Sequence, residues 1–246
     1  TQQAIQVGCV VPTALIALSR LGVATQIHTT IGDDLFGEAL IAIFEKEGVG
    51  LGQIIKVPKT KTPLAFVVVH KKTGSRTSFY TTGAFPSVIH GTFDVALTGS
   101  PRYLLVDGHN GEVTHTFMER ARSIGAKVIL DLGSPKNGME RLIALADVVI
   151  VPQAYSSHVW ASQKPETILE NVRKLGPELV VHTMEEKGCL VGQAEGIFYQ
   201  PSFDVAAVDT NGAGDVFLGT FTYGLIQSWS LKKTVEFASA AAAQSC

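Results

Sequence analysis

The chain has few charged residues and few cysteines, and each shortage excludes a class of protein. Its 20 Lys and Arg are balanced by 22 Asp and Glu, so the formal net charge is only −2. Such a chain lacks the basic surface by which proteins bind nucleic acid. Its three cysteines, Cys9, Cys189 and Cys246, cannot all pair and show no metal-ligand spacing. We therefore expect a reducing, cytoplasmic environment and no nucleic-acid partner.

Long apolar runs and repeats are also missing. No stretch approaches the roughly eighteen consecutive apolar residues that a membrane-spanning helix needs, and the first residues do not resemble a signal peptide. No internal repeat or low-complexity tract is present among the 246 residues, of which 46% are hydrophobic. This composition suits one sizeable globular α/β domain, without a membrane partner.

Short apolar runs alternate with helical patterns along most of the chain. Strands are predicted at 23–30, 103–106, 127–131, 146–151, 179–183 and 203–208, and helices at 15–22, 38–47, 112–123, 139–145, 165–175 and 232–244. This order predicts a mostly parallel sheet with helices on both faces. Ligands of such sheets gather at the carboxyl ends of the strands. The side chains at or just past these ends are Asp107, His109, Asp131, Thr183 and Asp215.

The segment from Gln53 to Thr82 has a different pattern. The β-branched run Leu64–His70 is followed by the turn Lys71–Gly74 and by a second extended run, Arg76–Thr81. This pattern predicts a β-hairpin without an intervening helix. The two adjacent carboxylates Asp33 and Asp34, which lie earlier in the chain before a helix, are expected to form a capping cluster.

The richest local pattern is the turn Asp209–Asp215, which lies between the strand predicted at 203–208 and a helix. Phe217, Phe221 and Leu225 recur at four-residue spacing and predict one buried helix face. The backbone N–H groups of Gly212–Gly214 then lie at a helix N-terminus, where peptide dipoles attract an anion. Asp215 follows at once. It could accept a proton from a hydroxyl that attacks a bound phosphoryl group, or it could merely complement the helix dipole.

The run Asp-Thr-Asn-Gly-Ala-Gly-Asp at 209–215 resembles the signature of the ribokinase-like (PfkB) carbohydrate kinases. The resemblance implies a three-layer α/β/α sandwich with a small β-lid and ATP-dependent phosphorylation of an alcohol group on a ribose-type or ketohexose-type sugar. It makes Asp215 the general base and Gly212, Ala213 and Gly214 the anion hole. It also implies Mg²⁺, with K⁺ beside Asp209 as an option.

The same resemblance suggests how the chain is organised. Residues 1–246 would form one kinase domain, and the hairpin within 53–82 would be the lid and a candidate homodimer contact. Relative to the family, the first core strand, the first lid strands and a closing C-terminal segment have no counterpart in this sequence.

Two further motifs resemble the substrate side of the family. Gly8-Cys9 precedes a helix that ends in Arg-Leu-Gly, as a diglycine loop does in relatives, with Cys9 at the second glycine and Pro12 at an Asn. The resemblance assigns Gly8 and Thr13 to the sugar. It assigns Asp107 and His109 to the sugar or its transferred phosphate. A plain buried helix and a surface-loop histidine are the competing interpretations.

The nucleotide side is represented by Thr183–Gly188, which resembles Thr-x-Gly-x-x-Gly with Glu185 in place of the first glycine. We expect Glu185 to point away from the phosphates or to reach Mg²⁺. The nucleotide-binding residues implied are Thr183, Lys187, Gly188, Asn211 and Ser239. An Asn and a Glu that organise Mg²⁺-bound water in many relatives are absent around Gln153–Ser156.

Three alternatives stay open at this point. A kinase fold that has lost catalysis is favoured by Glu185 and Pro12, whereas the intact Asp215 turn argues for activity. A nucleoside kinase of the same fold would share these motifs. A dinucleotide-dependent dehydrogenase is disfavoured because no G-x-G-x-x-G follows an early strand.

Overall fold

The computed structural model describes residues 6–69, 76–81, 99–109 and 111–246. The chain divides into two compact units. The first unit consists of residues 1–93, 205–229 and 241–246, and the second of residues 94–204 and 230–240.

The described part of the first unit contains three helices, two of which, α1 and α7, pack on each other, and two pairs of strands. Its elements are α1 (Val10–Arg20), β1 (Gln26–Gly32), α2 (Leu35–Lys46), β2 (Gly50–Val57), β3 (Leu64–Val69), β4 (Arg76–Thr81) and α7 (Ala213–Ile226). Strand β1 pairs with β2 in parallel, and β3 pairs with β4 as an antiparallel hairpin. A Cβ atom on Gly219 would lie 2.6 Å from the carbonyl oxygen of Ala14, so glycine is what allows α7 to approach α1 so closely.

The second unit is built on a six-stranded sheet. Its elements are β5 (Tyr103–Val106), α3 (Gly111–Ser123), β6 (Lys127–Asp131), α4 (Met139–Ile143), β7 (Val148–Pro152), α5 (Gln153–Val159), α6 (Pro165–Arg173), β8 (Leu179–Thr183), β9 (Cys189–Gln193), β10 (Gly196–Gln200) and most of α8 (Leu231–Gln244). The strand order is β10-β9-β8-β7-β6-β5. Strands β5 to β8 are parallel, and β9 and β10 are antiparallel additions.

The core of the second unit lies where the parallel strands meet the flanking helices. Leu130, Val149, Val151 and Val180 on the strands and Leu169 on α6 are each fully buried. Strands buried on both faces appear as continuous apolar runs, which is why the sequence predicted them so readily. The carboxyl ends of β5 and β6 are followed by loops that carry polar side chains.

Most predicted elements are confirmed, some with shifted ends. Strands β5, β6 and β8 have the predicted bounds, and β3 and β4 form the predicted hairpin in a two-stranded sheet of their own. The part of that prediction that falls on residues 70–75 and 82 lies outside the described residues. Helix α1 begins at Val10 rather than near Leu15, because Pro12 is tolerated in the first turn of a helix. Gly22, with φ +81°, follows its end as predicted.

The prediction of a strand at 203–208 is wrong. The structure gives this segment no strand pairing, although five of its six residues are apolar. A strand needs a neighbour that accepts its backbone N–H groups. Here the N–H of Ala207 donates to the carbonyl oxygen of Val205, and the N–H of Val208 donates to that of Cys246. The sequence pattern did not predict β2, α5 or the β9–β10 hairpin.

In the described ranges, no helix combines the length and apolar character that crossing a bilayer requires.

Candidate active site

The start of α7 forms a glycine turn that leaves a helix N-terminus without a side-chain cap. Gly212 is the N-cap residue, with φ +82° and ψ −1°, a left-handed conformation that favours glycine. Because the N-cap residue is a glycine, it supplies no side-chain cap to the first N–H groups of the helix. Asp215 is the third helical residue and is half-buried. The predicted order of glycine turn, helix start and carboxylate is therefore confirmed.

The space beside this turn is open. Among the described residues, a Cβ atom on Gly214 would meet nothing within 4 Å, and one on Gly212 would meet only Asp215 Oδ2 and Thr13 Cγ2, each at 3.9 Å. The Asp215 carboxylate and the Thr13 methyl group therefore border the same small space next to Gly212. The structure thus brings Thr13, Gly212 and Asp215 together within the first unit.

Thr13 contributes its methyl group to this space rather than its hydroxyl. Its Oγ1 donates a hydrogen bond of 2.9 Å to the carbonyl oxygen of Cys9, one turn earlier. Cys9 precedes α1 with φ +70°, a conformation that few residues other than glycine adopt. Gly8 is exposed, and a Cβ atom on it would meet nothing within 4 Å. Cys9 thus has a left-handed backbone at the position where the resembling motif has its second glycine.

Asp209 orders the turn from within. Its Oδ1 accepts a hydrogen bond of 2.9 Å from the N–H of Asn211. Its own N–H donates to the carbonyl oxygen of Cys246 at 2.8 Å. Such a local carboxylate bond is the usual way in which Asp fixes a turn. Asn211 itself is exposed.

In the second unit, a charged cluster occupies the carboxyl end of β5. The Nδ1 of His109 donates to Asp107 Oδ1 at 3.0 Å, and the His109 backbone N–H donates to the same oxygen at 3.1 Å. This leaves Nε2 as the ring nitrogen for a ligand, on a side chain that is 60% exposed. The sequence analysis missed Lys136, whose Nζ donates to the carbonyl oxygens of Asp107 at 3.1 Å and Ser134 at 3.0 Å. The feature of the sequence that could have indicated this residue is its place as a lysine in the loop that follows β6.

The electrostatics of this cluster favour a charged Asp107. Burial by itself pushes the pKa of its carboxyl upward, but the hydrogen bonds and charge of His109, together with Lys136, outweigh burial. The net result is a pKa below the usual value. Nearby Asp131 is buried and accepts a hydrogen bond of 2.8 Å from the N–H of Gly133, so it orders the backbone just after β6.

The Thr183–Gly188 motif also lies in the second unit and forms a tight turn between β8 and β9. Thr183 pairs with Cys189, and the N–H of Met184 donates to the carbonyl oxygen of Gly188 at 2.7 Å. The Ser239 hydroxyl hydrogen-bonds to the Cys189 thiol. Burial nevertheless raises the pKa of that thiol to about 11, so it stays protonated. The structure thus brings Thr183, Gly188 and Ser239 to one place.

Two residues of this turn face outward. Glu185 is exposed and has φ +54°, so it keeps the left-handed backbone typical of the glycine that it replaces. Lys187 is exposed as well, and its carbonyl oxygen accepts a hydrogen bond of 2.5 Å from the Tyr199 hydroxyl. Within the described part of the chain, no three His, Cys, Asp or Glu side chains cluster as a metal site.

Comparison with known proteins identifies the class to which this fold and these turns belong. The sequence profile of the pfkB family carbohydrate kinases matches residues 13–246. The chain therefore belongs to the pfkB family of carbohydrate kinases. It is a phosphotransferase with a ribokinase-like α/β fold.

The chain is similar to ketohexokinase from Mus musculus, with 23% identity over 93% of this chain and 80% of the relative. The crystal structure of a ribokinase from Thermotoga maritima superposes with a TM-score of 0.82 and 27% identity, over 99% of this chain and 83% of that one. An E. coli protein described as a ribokinase II, solved with ATP and Mg²⁺, gives a TM-score of 0.85 at 20% identity, over 98% and 84% of the two chains.

Proposed function

We propose that the protein transfers the γ-phosphoryl group of ATP to an alcohol group of a sugar or sugar-like acceptor of the ribose or ketohexose type. Asp215 is the general base, and Gly212, Ala213 and Gly214 form the anion hole. The observation that carries the proposal is the placement of the Asp215 carboxylate at a helix N-terminus whose N-cap residue is Gly212, with space beside that glycine. Membership of the carbohydrate kinase family supports it.

The chemistry follows from what each group can do at neutral pH. A sugar hydroxyl is too weak an acid to ionise alone, so Asp215 takes its proton as the oxygen attacks phosphorus. A new P–O bond forms, the bond to the leaving ADP oxygen breaks, and the proton stays on Asp215. The N–H groups of the Gly212 turn offset charge on the transferred phosphoryl group.

The donor side of the proposal rests on the second unit. Thr183, Lys187, Gly188 and Ser239, with Asn211 from the first unit, are the residues proposed to bind ATP. The fold neighbour solved with ATP and Mg²⁺ supports this choice of donor. Mg²⁺ offsets phosphate charge when bound, and it normally keeps several waters and binds substrate phosphates rather than a cage of protein ligands. A K⁺ ion beside Asp209 remains part of the proposal.

The acceptor is proposed to meet Gly8, Thr13, Asp107 and His109. Because the Thr13 hydroxyl is already bonded to Cys9, Thr13 would offer the acceptor a methyl contact. The Asp107–His109 pair would offer Nε2 as a hydrogen-bonding group. A nucleoside as acceptor is the alternative within the same fold.

The β3–β4 hairpin is proposed as the lid that excludes water from the acceptor. Phe66 and Phe79 lie opposite each other in its register and are 64% and 63% exposed. Exposed aromatic side chains on one face of a hairpin suit a surface that covers a ligand or another protein. A homodimer formed through this face is therefore the proposed assembly, which analytical ultracentrifugation of the protein and a Phe66→Ser variant would test.

The test of the function is Asp215→Asn, which keeps the side-chain shape and removes the base. It should lower kcat about 10²- to 10⁴-fold while ATP and acceptor still bind, because only proton transfer is lost. Asp209→Asn is the matched control and should cost less, since Asp209 acts through loop order. The readouts are ATP consumption and acceptor phosphorylation.

The acceptors for this assay are aldoses, ketoses and nucleosides, each first ranked by thermal shift with and without Mg-ATP. Near-normal kcat in Asp215→Asn would remove Asp215 from the role of base. Binding of ATP and sugar without turnover in the native protein would favour the catalytically impaired alternative.

A further inference from the structure

The Asp34 carboxylate does more than cap α2. Its Oδ1 accepts hydrogen bonds from the N–H of Gly37 at 3.0 Å and from the hydroxyl of Thr62 at 2.7 Å. Its Oδ2 accepts a third hydrogen bond, from the N–H of Thr62 at 3.1 Å. An N-cap needs only the first of these bonds. The other two tie the start of α2 to a residue 28 positions later in the chain.

Thr62 extends this connection to β1. Its Oγ1 accepts a hydrogen bond of 3.0 Å from the N–H of Gly32, the last residue of that strand. The residue is buried, with 4% of its surface exposed. Pro63 follows, and β3 begins at Leu64. The network therefore fixes the chain immediately before it enters the hairpin.

Two glycines bring the backbones into direct contact at this point. A Cβ atom on Gly32 would lie 2.4 Å from the backbone nitrogen of Thr62, and one on Gly37 would lie 2.4 Å from the carbonyl oxygen of Gly32. Neither distance leaves room for a side chain. We call Asp34, Thr62, Gly32 and Gly37 the hinge clamp.

The charge of Asp34 suits this task. The hydrogen bond from the Thr62 hydroxyl is the main reason why the pKa of the Asp34 carboxyl lies below its usual value, and the N–H groups of Gly37 and Thr62 add to this effect against a smaller opposing effect of burial. Asp34 is therefore a charged acceptor at neutral pH. Hydrogen bonds to a charged acceptor are stronger than those between neutral groups.

The hairpin beyond the clamp is exposed. Val68 and Tyr80, as well as Phe66 and Phe79, have more than half of their surface accessible. A short two-stranded hairpin is marginally stable by itself, so its direction depends on how its base is held. The clamp holds the base of β3.

We propose that the hinge clamp is a positioning device for the lid, in which Asp34 and Thr62 set the direction in which the β3–β4 hairpin extends from β1 and α2. The use of the hairpin as a lid rests on the proposed function. Without the clamp, the groups that transfer the phosphoryl group would stay intact, but the lid would close less often over the acceptor. Water would then compete as phosphoryl acceptor.

The experiment compares three variants with the native protein. Asp34→Ser keeps a helix-capping oxygen but is too short to reach Thr62, and Thr62→Val keeps the shape and removes the hydroxyl. Thr60→Val is the matched control, because Thr60 is also buried and its hydroxyl bonds only within its own loop, to the carbonyl oxygen of Pro58. The first measurement is hydrogen–deuterium exchange at residues 62–69, which can be made even if the protein is inactive. The other measurements are the acceptor KM, kcat and the fraction of ATP that is hydrolysed without transfer to the acceptor.

Asp34→Ser and Thr62→Val should each speed amide exchange at residues 62–69 about tenfold, raise acceptor KM about tenfold and raise futile ATP hydrolysis, with kcat within about threefold of native. The double variant should add little, because both residues belong to one network. Thr60→Val should match the native protein in each measurement.

If the amides of residues 62–69 exchange no faster in Thr62→Val than in Thr60→Val, the proposal that the clamp holds the base of the hairpin is overturned. Faster exchange with an unchanged acceptor KM and unchanged hydrolysis would overturn its role in positioning the lid. If the native protein phosphorylates no acceptor, the proposed function fails, and the exchange data still decide whether the clamp holds the hairpin. If Asp34→Ser does not fold, Thr62→Val decides alone.

Discussion

Two glycine turns of this molecule resemble phosphate-binding motifs, yet they use glycine for different purposes. At the start of α7, Gly212 has φ +82° and a Cβ atom there would meet its nearest neighbours at 3.9 Å. In the turn after β8, Gly188 has φ +83°, but a Cβ atom would lie 2.2 Å from the carbonyl oxygen of Gln200. The backbone conformations match, whereas the space around them does not.

The difference teaches what each glycine is for. The Gly212 turn keeps an opening beside Asp215 into which a ligand could fit. The Gly188 turn has its opening filled by the chain that follows β10, with a Cβ atom 2.6 Å from the N–H nitrogen of Ser202 as well. Gly188 therefore holds the β8–β9 turn against its neighbour. The first glycine permits access, and the second permits packing.

Gly188→Ala should give the largest loss of stability. The methyl group would overlap backbone atoms that cannot rotate away, and alanine also disfavours the left-handed conformation. We expect the free energy of unfolding to fall by about 3–4 kcal/mol, measured by urea denaturation. Gly125→Ala is the control, because Gly125 has φ +80° with nothing within 4 Å of its Cβ position. It should lose only about 1 kcal/mol. Equal losses in both variants would show that packing at Gly188 is not decisive.

Gly212→Ala should affect activity more than stability. The methyl group would enter the space between the Asp215 carboxylate and the Thr13 methyl at ordinary contact distance, so the fold should lose only about 1 kcal/mol. It would displace the acceptor from the base, and we expect kcat/KM to fall about 100-fold. Gly138→Ala is a close control, since Gly138 is also a left-handed N-cap residue with open surroundings. Similar activities of the two variants would argue against an acceptor site beside Gly212.

The sequence predicted those parts of the site that depend on local pattern. The four-residue spacing of Phe217 and Phe221 predicted α7, and both rings are buried and stacked with centroids 5.9 Å apart. The cap at Asp34 was predicted as well, and its bond to Gly37 confirms it. These features need only neighbouring residues, so local pattern is sufficient to find them.

What the sequence could not predict depends on residues far apart in the chain. The bond from Lys136 to the end of β5 spans 29 positions, and that from Thr62 to Asp34 spans 28. The buried pair of Ser156 and His182, 2.9 Å apart, joins α5 to β8. The prediction for the apolar segment 203–208 failed for the opposite reason, since its local pattern is that of a strand but the structure gives it no strand pairing. Tertiary partners decide such cases.

The smallest expected effect concerns Glu185, which lies where the resembling motif has a glycine, and it extends the comparison of the two glycine turns. Glu185 has φ +54° in an exposed turn, which costs a residue with a side chain about 1–2 kcal/mol. Glu185→Gly should relieve that strain, offset in part by the greater freedom of glycine in the unfolded chain. We expect a gain of up to about 1 kcal/mol, or about 2–4 °C in Tm by differential scanning calorimetry. ATP affinity, measured by calorimetric titration, should stay unchanged or improve, because a carboxylate near the phosphates is removed.

Glu186→Gly, at the neighbouring exposed carboxylate without a left-handed φ in the structure, is the control and should not gain stability. Abolished ATP binding in Glu185→Gly would instead mean that Glu185 serves the nucleotide directly, as a ligand to its Mg²⁺ would.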